Sequence, residues 1–165
     1  MNYSKIKSVV TKLKDKRLTI TTVESCTGGR IASTITSVPG ASQVFVGGFV
    51  TYQTWTKSAL VNVNPDTIDK FDVVSQQVVV EMVKGGCDKL GADIALATTG
   101  YAGPDGGNKD IPVGTIWIGC GNAHEVKTLC LHLDHDRNTN LNVATQKAID
   151  LLADYIDDLP DFTCN

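Results

Sequence analysis

The chain has 165 residues, 42% of them apolar, and 15 Lys and Arg against 18 Asp and Glu, a net charge of -3. That length and balance suit one globular core and exclude a disordered chain, while the mild acidity gives no electrostatic footprint for nucleic acid. No apolar run reaches the length of a membrane span or a secretory h-region, so a cytoplasmic protein with neither nucleic-acid nor membrane partners is expected.

The opening stretch "MNYSKIKSVVTKLKDK" puts Ile6, Val9, Val10 and Leu13 on one helical face and its lysines on the other, a packed helix with a solvated side. "RLTITTV" reads as a strand, followed by a helix that opens near Gly28 and ends before "SVPGAS". "VFVGGFVTY" is the next strand and "TWTKSALV" a short helix after it. Ser75 is an N-cap candidate for a helix carrying Val79, Met82 and Val83 at helical spacing. "ADIALATTG" and "VGTIWIGCG" are apolar runs bounded by glycine, as buried strands are, and "EVKTLCLHL" alternates like a strand with a wetter face. From Asn142 to Ile156, Ala144, Ala148, Leu151, Leu152 and Tyr155 form one helical stripe. Alternating strands and helices without a linker predict an α/β fold: one domain over residues 1–165, its core about 6–156, built as a three-layer α/β/α sandwich on a largely parallel or mixed sheet.

The cysteines, Cys26, Cys87, Cys120, Cys130 and Cys164, are odd in number and contain no CxxC pair, so reduced core thiols are expected rather than disulfides or zinc. In "HLDHD", a strand would turn His132 and Asp134 to one face and His135 to the other, and no metal site is read there.

Ligands of such sheets gather outside the carboxyl ends of the strands. Two loops follow apolar strands in that way, "ESCTGG" and "TTGYAGPDGGNKDIPVG". Their glycines permit close approach of backbone N–H groups to a ligand. Neither loop is a Walker or dinucleotide motif, and Ser25 lacks the GxSxG frame of a nucleophile elbow. Tyr52 and Lys57 lie beyond a strand end from which they can reach the same crevice, and lysine is a known substitute for histidine as the activator of serine. Surface decoration is the commoner reading of Tyr and Lys at such positions, and spacing alone does not choose between the two.

The motifs "ESCTGG", "VPGASQVFVGGFVTY", "TK" followed by "LV", "VS" opening a helix, "GAD" before a strand, "TTGYAGPDGG" and "PVGTIWIG" occur in an order that resembles the CinA carboxy-terminal domain family, from about Ile6 to Ile156. That family includes stand-alone nicotinamide-nucleotide amidohydrolases. The resemblance implies cofactor-free hydrolysis of nicotinamide mononucleotide to nicotinate mononucleotide and ammonia, with Ser25 as nucleophile and Tyr52 and Lys57 as its activating partners. The sole partner implied is the small nucleotide, with a homo-oligomer allowed. The chain departs from the family pattern in four places. A second arginine expected a few positions after Arg137 is replaced by Asn142 or a neighbour, Asn108 stands for threonine, Ile111 for lysine, and Trp55 for a small or acidic residue. These departures are expected at the pocket rim. A catalytically silent nucleotide-binding or interaction module is the alternative.

Amide hydrolysis also needs donors for the oxyanion. The N–H groups near Thr27 and Gly28, at a helix start, are expected to supply them. The remaining substrate-binding candidates are Gly29, then Thr99, Gly100, Gly103, Gly106 and Gly107 of the second loop, and Arg137. This glycine loop and Arg137 are expected to take the phosphate, with Asp105 turned to solvent. Lys57 can act as a base only if its pKa falls from about 10.4 to roughly 7–8, a cost to the charged form of about 4 kcal/mol, supplied by burial or by a neighbouring cation such as Arg137. Cys26 is the rival nucleophile.

Overall fold

The structure, a computed structural model, describes residues 3–160; Cys164 lies outside the described residues. Helix α1 (Tyr3–Asp15) leads into β1 (Ile20–Glu24), α2 (Arg30–Thr36), β2 (Phe45–Val50), α3 (Thr54–Val61), α4 (Pro65–Phe71) and α5 (Gln76–Leu90). The hairpin-rich second half adds β3 (Ile94–Gly100), β4 (Thr115–Gly121), β5 (Val126–His132) and the long α6 (Arg137–Asp158).

The five strands form one sheet in the order β2-β1-β3-β4-β5. β1 runs parallel to both β2 and β3, whereas β3 with β4 and β4 with β5 are antiparallel, so the sheet is mixed. The apolar face of α1, with Ile6, Val9, Val10 and Leu13 all buried, packs with α2 and α6 on Ile20, Ile94, Leu96, Ile116 and Ile118. α3 and α5 cover the other face through Val61, Val78, Val79, Met82 and Val83 against Val23, Ala95 and Ala97. The expected three-layer sandwich is therefore present. Its alternating side-chain directions are visible in β1, where Ile20 belongs to one core and Val23 to the other.

Some boundaries differ from the sequence expectations. α2 begins at Arg30 rather than Gly28, because Gly28 and Gly29 hold left-handed φ values of 58° and 96° that belong to the preceding turn. α6 begins at Arg137 rather than Asn142, because the Asp136 carboxylate accepts from the N–H groups of Asn138 and Thr139. β5 ends at His132, so strand alternation does not govern Asp134, His135 and Asp136. α4 had no counterpart in the apolar pattern, since it buries no residue fully; its start is marked by Asn64, whose side chain accepts from Asp66 N–H, and by Pro65.

The topology converges on one edge of the sheet. β1, β2, β3 and β5 all point their carboxyl ends there, delivering Ser25, Tyr52, the Gly100 loop and the turn before Arg137. Gly85 matters to the same end. A Cβ there would lie 1.8 Å from the Val61 carbonyl oxygen, so only glycine lets α3, which carries Lys57, seat against α5.

Candidate active site

Ser25 follows directly on β1, its N–H donating to Thr98 O at 3.0 Å. The turn it opens closes through Gly28 N–H to Ser25 O at 3.1 Å. Lys57 reaches this turn from α3, and its Nζ donates to Ser25 Oγ at 3.0 Å and to Thr51 O at 2.8 Å. Lys57 is 1% exposed and has no carboxylate partner among the described residues. Burial pulls its pKa down from 10.5 to about 8. That shift corresponds to about 3 kcal/mol against the charged form. Arg137 is not among the causes; desolvation does the work.

Glu24 is the residue the sequence reading overlooked. Its buried carboxylate accepts from Thr27 Oγ1 (2.7 Å), Gly29 N–H (3.0 Å), Ile31 N–H (3.1 Å) and Ala32 N–H (2.8 Å). The acidic side chain thus satisfies the orphan donors of α2 and meets the positive end of its dipole. This removes Gly28 from the expected oxyanion donors and leaves Thr27, since the α2 terminus is spent on Glu24 and the Gly28 N–H on Ser25 O. The N–H groups of Cys26 and Thr27 donate to no oxygen acceptor among the described residues. A carboxylate ending an apolar strand just before a glycine turn was the signal in the sequence.

Cys26 is buried beside Ser25, and desolvation pushes its thiol up to about 11, overriding the nearby Lys57 and the N–H donors. It is a poor thiolate source at neutral pH.

Two cavities open on this turn. One, of about 240 Å³, is bounded by Ser25, Lys57, Thr99, Gly100, Tyr101 and Asp105. The other, of about 720 Å³, is bounded by Gly28, Arg30, Gly103, Pro104, Asn138 and Leu141. Cys26, Tyr52 and Arg137 border both and make them one trough. Arg137 donates to Gly103 O at 2.7 Å and to Tyr52 Oη at 2.9 Å. Tyr52 therefore faces Arg137 and makes no hydrogen bond to Ser25 or Lys57.

Several expected residues sit otherwise. The Thr27 hydroxyl is held between Glu24 and Thr98, and the Thr99 hydroxyl donates to Val73 O. Gly29, Gly106 and Gly107 border neither cavity; Gly106 lies under the Tyr101 ring, and Gly107 against Val113 N and Ile111 O. Asp105, expected in solvent, is exposed but lines the Ser25 cavity, away from the larger one. Among the departures, Trp55, Asn108 and Ile111 line neither cavity, contrary to the expected rim position, whereas in the stretch that stands in place of the second arginine Asn138 and Leu141 border the larger cavity and Asn142 does not. Asn108 closes its own loop, its Oδ1 accepting from Asp110 and Ile111 N–H.

Residues 2–156 match the profile of the CinA C-terminal domain. The chain belongs to that family. It is 41% identical over 144 residues to a CinA-like protein of Colwellia psychrerythraea, covering 87% of this chain and 33% of that protein. It is 39% identical over 157 residues to a CinA-like protein of Thermotoga maritima, covering 94% of this chain and 38% of that one. The chain thus spans about a third of the length of these curated relatives. Among solved structures it resembles a CinA superfamily protein of Escherichia coli (TM-score 0.87, 31% identity, 90% and 87% coverage). It also resembles one of Klebsiella pneumoniae (TM-score 0.90, 29% identity, 96% and 100% coverage). Among the described residues no helix is long and apolar enough to cross a membrane, and no group of three or more His, Cys, Asp or Glu side chains is placed to hold a metal.

Proposed function

We propose that this CinA-family domain is an amidohydrolase that converts nicotinamide mononucleotide to nicotinate mononucleotide and ammonia. The observation that carries the reading is the 3.0 Å contact between Lys57 Nζ and Ser25 Oγ, made by a lysine whose burial brings its pKa to about 8. Such an amine is neutral in a useful fraction of molecules near neutral pH and can accept a proton.

In the reaction, neutral Lys57 takes the Ser25 hydroxyl proton as Oγ attacks the carboxamide carbon. The oxyanion that forms is held by the N–H groups of Cys26 and Thr27. The lysine ammonium returns its proton to the amide nitrogen, the C–N bond breaks, and ammonia leaves an acyl ester on Ser25. Lys57 then takes a proton from water, the resulting hydroxide attacks the ester, and the carboxylate product departs as Ser25 regains its proton. No cofactor enters this scheme. Tyr52, turned toward Arg137, acts on the substrate across both cavities rather than on Ser25, and Gly100, Gly103 and Arg137 line the path of the nucleotide.

The trough also has a charge order that suits this substrate. Asp105 borders the Ser25 cavity, where the cationic pyridinium ring would lie, Arg30 borders the larger cavity, where the phosphate would lie, and Arg137 stands between the two. Ammonia release from nicotinamide mononucleotide by the purified protein, with Ser25→Ala in parallel, tests the reading: release by the parent and none by the variant is expected.

A further inference from the structure

The family resemblance calls for a second arginine after Arg137, and this chain has none. The larger cavity nevertheless holds two guanidinium groups. Arg30, the first residue of α2, lies across from the first turn of α6, where its Nη2 donates to Asn138 Oδ1 at 3.2 Å. Asn138 and Leu141, from the stretch that replaces the expected arginine, form the wall beside it. Neither Arg30 nor Arg137 has a carboxylate partner among the described residues. The one carboxylate lining this cavity, Asp136, is committed to the Asn138 and Thr139 N–H groups and to Thr139 Oγ1.

We propose that Arg30, supplied from α2, is the second cation of a phosphate clamp with Arg137, and that it gives this domain its preference for a phosphorylated nucleotide over the bare nucleoside. The inference rests on the amidohydrolase reading for the identity of the nucleotide. Arg137 already spends one nitrogen on Gly103 O and another on Tyr52 Oη, which fixes its plane but leaves fewer donors for an anion. Arg30 carries five N–H donors and gives one contact to a neutral amide, a weaker partner than a phosphate oxygen. The hydrogen bond to Asn138 holds the guanidinium over the cavity until the phosphate displaces or joins it. The two arginines then approach the anion from different helices, so a phosphate seated between them ties α2 to α6.

The test is binding of nicotinamide mononucleotide and of nicotinamide riboside, by calorimetry, to Ser25→Ala protein with and without Arg30→Ala. The ratio of the two affinities is expected to fall about tenfold on loss of the arginine, with Arg30→Lys restoring part of it, since one charge-assisted phosphate contact is worth about that factor. Arg30→Gln, which can keep the Asn138 contact without the charge, guards against a variant that merely disturbs α2; it is expected to behave as the alanine variant does. A fall of less than threefold in both neutral variants, or no detectable binding of the mononucleotide to the Ser25→Ala parent, overturns the assignment. Ammonia release by the unmutated protein separates the two claims. If release is absent while the affinity ratio still falls, the hydrolase reading fails and the clamp stands; release with an unmoved ratio removes the clamp alone.

Discussion

Lys57 Nζ lies 3.0 Å from Ser25 Oγ, and the same nitrogen is tied to the Thr51 carbonyl oxygen at 2.8 Å, so the amine is aimed at the hydroxyl from a fixed side. Because burial lowers the pKa of Lys57 to about 8, activity is expected to rise with pH and level off above that value as the amine becomes neutral. Lys57→Arg is expected to lose at least about a thousandfold in kcat, since guanidinium stays protonated. A pH-rate profile of kcat/KM checks both; a flat profile across the range around pH 8, or an active arginine variant, would show that the lysine only holds charge.

The same burial predicts a stability effect. The folded-state pKa of Lys57 lies below the unfolded value of 10.5, so the unfolded chain binds the extra proton between about 8 and 10.5 and the folded protein gains stability as pH rises through that window. Relative to Lys57→Met, the parent should therefore gain about 2 kcal/mol between about pH 7.5 and 9.5. Urea unfolding of both proteins at the two pH values measures it, and a constant difference would place the lysine pKa at its ordinary value.

Glu24 holds three backbone N–H groups and the Thr27 hydroxyl from inside the protein. Glu24→Ala leaves those donors unsatisfied and buried, at a cost of about 3–5 kcal/mol, and loosens the turn that carries Ser25. Thermal unfolding is expected to show a large drop in Tm, with kcat reduced in whatever fraction stays folded. Glu24→Gln, which keeps acceptor oxygen at one position only, should fall between the two. Parent-like stability in the alanine variant would mean that water replaces the carboxylate without loss.

Tyr52 presents its hydroxyl to Arg137 and not to the dyad. Tyr52→Phe is accordingly expected to raise KM severalfold while kcat changes by less than about threefold. A proton-relay role would invert that split, lowering kcat and sparing KM, so steady-state kinetics distinguishes the two.

The Cys26 thiol, pushed up to about 11, is expected to resist alkylation at neutral pH, and Cys26→Ser is expected to retain activity within about fivefold. Loss of turnover in a folded Cys26→Ser protein, together with rapid inactivation by iodoacetamide, would transfer the nucleophile's role from Ser25 to the thiol.

Much of the architecture was legible because it is written in local periodicity. The stripe of Ile6, Val9, Val10 and Leu13, the cap at Ser75 and the glycine-bounded runs that became β3 and β4 each report on their own segment, and alternating segments of these two kinds have few ways to bury both faces of a sheet. Gly28 and Gly29 likewise marked a turn after β1, since left-handed φ values are cheap only for glycine. α4 leaves no mark in the apolar pattern because it carries no buried stripe, and the first turn of α6 precedes its apolar stripe because a cap rather than apolar contacts holds it.

What the site does with those segments was decided in three dimensions. Sequence places Lys57 thirty-two residues from Ser25. Only the seating of α3 on α5, permitted by Gly85, buries the amine and aims it at the hydroxyl. The hold of Glu24 on the α2 N-terminus, the turning of Tyr52 toward Arg137, and the arrival of Arg30 opposite α6 depend on which donors and acceptors packing brings within about 3 Å. Hydrogen bonds and desolvation act over such distances, and the spacing of residues along the chain carries no record of them.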